Sequence, residues 1–197
     1  VSFSRLQRID RETHFLQGLL HPLLDARAVR ASGLDVAQQS HQARAHAVVH
    51  GVSMVVENAG DFADSTSIWY IVDAVESPSV RCCWNPVTAR AHGERPTRSI
   101  PRLNSRIGLV RVGDFKLNDR GVIAEPVLPG QGDGEVRLLV QLLKGITYRG
   151  YLVFDWPRHT HPATADAAEA FPAAAKCLRD LLNEPTVQLT AYKGDKF

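Results

Sequence analysis

Four short apolar runs in this chain each finish on or beside a polar or charged residue: 52–57 (VSMVVE), 80–84 (VRCCW), 107–113 (IGLVRVG) and 151–155 (YLVFD). Their ends present Glu57 with Asn58, then Asn85, then Arg111 with Asp114, and finally Asp155. In parallel α/β architectures the chemistry collects at the carboxyl ends of strands, so this series is the first candidate for a site. The plain alternative is that each residue caps or orients the helix that follows it. Three other groupings could also do chemistry. Arg90, Arg95, Arg98, Arg102, Arg106 and Arg111 occur in one stretch whose only acid is Glu94, and guanidinium groups grip phosphate or carboxylate bidentately. A solvated basic loop, or pairing of these arginines with acids elsewhere or in a partner chain, is the favoured reading. His46 and His50 stand four apart on an expected helix, a spacing that can hold a metal; without a third ligand, a solvated helix face is favoured. His159 and His161 follow the fourth run and could provide ligands or a proton-transfer group.

The elements that must carry these residues alternate. Residues 1–31 place leucines at three- and four-residue spacings, and Pro22 divides them into two short helices. Residues 35–50 are helix-prone and Gly51 ends them. Strands are expected over 52–57, 80–84, 107–113 and 151–155, and helices over 64–76, 134–144 and 164–183. Residues 85–106, rich in Pro, Arg and Gly, read as a long loop, and 186–197 as a weakly structured tail. The order α-β-α-β-(loop)-β-α-β-α, with short apolar strands bounded by glycine, describes a parallel sheet covered on both faces. Cys82 and Cys83 fall inside such a strand and read as small apolar packing. Four strands are half of a (β/α)8 barrel, which needs about 250 residues. Periodicity leaves a half-barrel and a small open sheet equally open.

The 197 residues are 44% hydrophobic and 22% charged, which excludes a disordered or disulfide-scaffold chain. A formal net charge of +2 argues against a nucleic-acid coat. Three cysteines, two of them adjacent, suit a reducing, cytoplasmic-type compartment. No apolar run nears the roughly 20 residues of a membrane span, and no signal peptide opens the chain. There is no Walker loop or G-x-G-x-x-G to cradle a nucleotide. The chain begins at Val1 and its one methionine is Met54, so a piece of a longer or processed protein is expected.

Four stretches carry a family resemblance: HGVSMVVENAGD (50–61), VRCCWNP (80–86), RIGLVRVGD (106–114) and PGQGDGEVRLLVQLLKGITYRGYLVFDWP (129–157). Together they resemble the C-terminal half of the sugar phosphate isomerases/epimerases, xylose-isomerase-like (β/α)8 barrels related to endonuclease IV. The resemblance spans roughly residues 34–183 and implies one βα domain over 1–185, built from about four βα units, with a helical lead-in at 1–31.

It also implies a divalent metal, often manganese, held by Glu, Asp, His and Glu at the last four strand ends, with the two glutamates moving protons beside a sugar carbonyl. Carried over, the metal-ligand and catalytic positions are Glu57 and Asp155. The aspartate position is Asn85, and Arg111 replaces the histidine. Arg111 has no lone pair for a metal and would pair with the carboxylates, so the implied site is degraded. A substrate would touch Arg111, Asn85 and His159, with Trp84 and Trp156 stacking on a sugar ring. The expectation is a sugar isomerase/epimerase-like protein, or else a non-catalytic relative or subunit that binds a sugar-like or anionic ligand. The multi-metal cluster of endonuclease IV is not matched, and no nucleic-acid or membrane partner is implied. A half-barrel leaves sheet edges unpaired, so self-association or completion by another chain segment is expected.

Overall fold

A computed structural model describes residues 38, 40, 43, 44 and 47–187. The expected helices within 1–31 and most of the tail lie outside the described residues. A helix ends at His50, and Gly51, at φ 63°, reverses the chain as its amide returns to the Val48 carbonyl. The elements that follow are β1 (Met54–Glu57), α1 (Ser65–Ala74), β2 (Val80–Trp84), α2 (Pro86–Ala91), α3 (Pro96–Leu103), β3 (Ile107–Val112), β4 (Asp114–Leu117), β5 (Ile123–Val127), α4 (Val136–Gly145), β6 (Tyr151–Phe154) and α5 (Ala167–Asn183). Strands β1, β2, β3 and β6 form one parallel sheet in that order.

Two differences from the sequence reading have clear causes. The expected loop at 85–106 contains helices α2 and α3. Their prolines, Pro86 and Pro96, stand at the first helical position, where a missing N–H costs nothing. The stretch 114–127 folds back as the antiparallel hairpin β4–β5. Its turn is an Asx turn: Asn118 Oδ1 accepts from the amides of Arg120 and Val122, both at 3.0 Å, and Gly121 takes φ 72°.

The core lies between the sheet and its helices. Ile68 and Val72 of α1, Trp84 of β2, Ile100 and Leu103 of α3, Val110 and Val112 of β3, and Leu139 and Val140 of α4 pack together. Because strand side chains alternate, Leu109 and Arg111 point to the opposite face from Val110 and Val112. Trp84 is fully buried, so the expected sugar-stacking role is corrected: both ring faces are covered by the core.

Asp114 anchors the segment between β3 and α4. Its carboxylate is 4% exposed and accepts hydrogen bonds from the amides of Phe115, Gly130, Gly132 and Gly134 at 2.8–2.9 Å. The glycines are required by this approach: a Cβ on Gly132 would lie 2.3 Å from Asp114 Oδ1 and 2.4 Å from the Phe115 carbonyl. This explains the PGQGDG stretch as a loop wrapped around one acid.

Two outcomes check this packing. Asp114→Ala strips four amides of their acceptor and should cost at least about 3 kcal/mol in urea unfolding, with Gly132→Ala similarly damaging. Burial, reinforced by Cys83, pushes the Cys82 thiol far above its usual range. Burial, then the charge of Glu57, lifts Cys83 to about 12. Only thiolates attack a disulfide reagent, so the native chain at pH 8 should expose one reactive thiol, the half-buried Cys177, and release two more on unfolding. Rapid reaction of all three would contradict the placement of β2.

Candidate functional site

The site is assembled at the carboxyl ends of β1, β2, β3 and β6. Asn58, wholly buried, clamps the first two: its Nδ2 donates to the carbonyls of Ala63 (2.9 Å) and Asn85 (3.1 Å), and its Oδ1 accepts from the Asn85 amide (2.6 Å). Asn85 is then divided between two tasks. Its Oδ1 caps α2 by accepting from the amides of Val87 (3.1 Å) and Thr88 (3.4 Å), and its Nδ2 donates to Glu57 Oε1 at 3.1 Å. The amide oxygen faces the helix and the amide nitrogen faces the carboxylate.

Arg111 reaches across from β3. Its Nη1 donates to both oxygens of Glu57 at 2.7 Å, and its Nη2 donates to Asp155 Oδ2. The side chains of Arg111, Glu57 and Asp155 are 32%, 35% and 42% exposed, so water screens the pairing while the geometry stays fixed. Partial burial works against the charged guanidinium, but the hydrogen bonds and charge of Glu57, then those of Asp155, outweigh it and hold the arginine above its ordinary range.

Beside this bridge lies a cavity of about 250 Å³. Arg111, Asp155, Asn85 and Glu125 are among its polar residues, and Phe115, Trp156, Pro157 and the apolar residues of the hairpin give it an apolar wall. Trp156 is held by donation from Nε1 to the Ala165 carbonyl (2.9 Å) and by stacking on Phe154 at 5.6 Å.

The structure thus brings Glu57, Asn85, Arg111 and Asp155 together and puts Trp156 on the cavity wall. His159 is exposed and is not among the residues lining that cavity, whereas His161 is. His46 lies outside the described residues. Of the six arginines that suggested an anion clamp, four are engaged with acids: Arg111 as above, Arg95 with Glu135, Arg102 with Glu94, and Arg106 with Asp73 while stacked over Trp69 at 4.8 Å. Among the described residues, no group of three or more His, Cys, Asp and Glu side chains is gathered as a metal site. Sequence reasoning missed the hairpin that walls the cavity. The Asn118–Gly121 turn signal between Phe115 and Ile123 was the available clue.

Comparison with known proteins places this geometry. The family profile described as the xylose isomerase-like TIM barrel matches residues 12–181. Among solved structures, D-allulose 3-epimerase from Methylomonas sp. is 14% identical with a TM-score of 0.63, over 76% of this chain and 56% of its own. The IolI protein, solved with a bound zinc atom, is 19% identical with a TM-score of 0.64 and the same coverages. The probable 3-DHS dehydratase AsbF from Bacillus anthracis is 13% identical with a TM-score of 0.60, over 73% and 55%. The chain therefore spans about half the length of these structures, and at such identities the likeness concerns the fold. No curated protein matches in sequence. With four parallel strands, their covering helices and a polar cluster at the carboxyl ends, the chain belongs to the xylose isomerase-like TIM barrel family.

Proposed function

We propose that this chain carries the site-bearing half of a sugar isomerase/epimerase-like barrel, that the cavity beside Arg111 takes a small sugar-like ligand, and that the metal centre implied by the family is altered beyond use. The single observation that supports the last point is the placement of the Arg111 guanidinium between Glu57 and Asp155. A divalent ion needs lone pairs, and a guanidinium has none to give. It also brings its own positive charge to the place where the ion would be attracted. Asn85 does not relieve this, because its oxygen is committed to the α2 amides and its N–H₂ is turned toward Glu57. The donor set of this chain therefore does not fit the metal.

In this reading Arg111 supplies the fixed cation of the site, Glu57 and Asp155 balance it, and Trp156 with Phe115 offers apolar surface to the carbon face of a polyhydroxylated ligand. Ancestral metal-dependent proton transfer by the two carboxylates is the activity from which such a site departs.

Titration with Mn²⁺ and Co²⁺, followed by elemental analysis of the desalted protein, tests the reading. The native chain should retain no stoichiometric metal. The double substitution Asn85→Asp with Arg111→His should raise affinity on the order of 100-fold, with circular dichroism confirming an unchanged fold. One metal per native chain, lost on Glu57→Gln, would overturn the reading.

A further inference from the structure

The geometry points to His161 as the proton-transfer group of this cavity, acting on a carbon next to the carbonyl of a bound ketose. This inference rests on the proposed sugar-like ligand and adds the residue that acts on it. The pairing of Glu57 and Asp155 with Arg111 leaves the two acids of the site held by a cation, so a proton acceptor outside that network is required. His161 lines the same cavity as Arg111, Asp155 and Trp156.

Its ring is set up for the role by a directed chain of hydrogen bonds. Thr160 Oγ1 donates its hydrogen to the Pro157 carbonyl at 3.0 Å. The same oxygen lies 3.0 Å from His161 Nδ1, and while its hydrogen is on Pro157 it accepts there. In that arrangement Nδ1 carries the proton of the neutral ring and Nε2 keeps its lone pair. A positioned base whose far nitrogen donates to a fixed acceptor has the arrangement that general-base catalysis needs.

The loop is exposed but firmly closed on itself. The Pro157 carbonyl also accepts from the His161 amide (2.9 Å), and the His161 carbonyl accepts from the Thr164 amide (3.1 Å) and from Thr164 Oγ1 (2.8 Å). Arg158 donates to the Thr164 carbonyl (3.0 Å) and lies 3.4 Å from Asp166. The other charged groups around the cavity are Arg111 on β3, Asp114 on β4, Glu125 on β5 and Asp155 after β6.

The step balances without a co-reactant. His161 Nε2 takes a proton from the carbon beside the carbonyl, the C–H electron pair becomes a C=C bond, and the carbonyl π pair moves to oxygen as an enolate. Arg111 is the cation on that side of the cavity. Return of a proton from the imidazolium restores the ketose, and in D₂O the returned nucleus is a deuteron.

D-fructose in D₂O, followed by ¹H NMR, provides the test with the chain as it stands. Wild type should exchange the protons beside the carbonyl. His161→Ala should lower the rate by about 100-fold or more, and added imidazole should restore part of it. Thr160→Val, which removes the orienting acceptor, should slow exchange by roughly tenfold with KM little changed. Exchange unaffected by His161→Ala, or binding of D-fructose without exchange, overturns the role of His161 and leaves the sugar-like cavity standing. No binding of D-fructose, seen as unmoved Trp156 indole resonances, overturns the cavity reading and this inference with it.

Discussion

One guanidinium ties together the ends of three strands. Arg111 leaves β3 on the face opposite the core, grips both oxygens of Glu57 at the end of β1, and reaches Asp155 after β6. In register, Arg111 stands beside Val153 and Glu57 beside Cys83, so the parallel pairing delivers the two acids to either side of the cation. Partly exposed pairs of this kind contribute about 1 kcal/mol or less each to stability. The importance of the bridge is therefore chemical: it decides what charge the site presents and which atoms remain available to a ligand.

The surroundings hold this bridge in place from both sides. Asn58 and Asn85 lock the ends of β1 and β2 with three hydrogen bonds between them and the chain around them, and Asn85 passes that order to α2 as its cap. Beyond β3, the Asp114 carboxylate gathers four amides and fixes the glycine loop that leads into α4, with the hairpin standing alongside as the cavity wall. After β6, the turn from Pro157 to Thr164 puts His161 at the same cavity. Each functional side chain thus sits in the last residues of a strand, immediately after one, or in a loop whose backbone is fixed by short-range hydrogen bonds. This is how a parallel sheet combines rigid support with variable chemistry.

Much of this was legible in the residues. The apolar runs located all four strands of the parallel sheet, with 80–84 matching β2 end for end, because runs rich in Val, Ile and Leu carry strand chemistry; the expected cover on both faces is corrected, since Val55, Tyr151 and Val153 on the face away from the core are exposed. The polar strand ends located Glu57, Asn85, Arg111 and Asp155. What was lost has physical causes. Prolines that read as loop residues at 86 and 96 were helix starters, where the absent N–H is harmless. Trp84 looked like a ligand platform because it ends a strand, but its parity along β2 turns it inward, beside Cys82 in the core. His161 could not be ranked above His159 from sequence, since only the folded turn reveals which of the two lines the cavity.

The central claim is that Arg111 occupies the cation position of this site. Nitrogen-15 NMR of the arginine side chains, before and after addition of Mn²⁺, tests it most directly. The account predicts separate, slowly rotating Nη1 and Nη2 resonances for Arg111, lost in Glu57→Gln and unaffected by stoichiometric Mn²⁺. A single averaged Nη resonance in the free protein, or paramagnetic broadening of Arg111 at one equivalent of Mn²⁺, would contradict it.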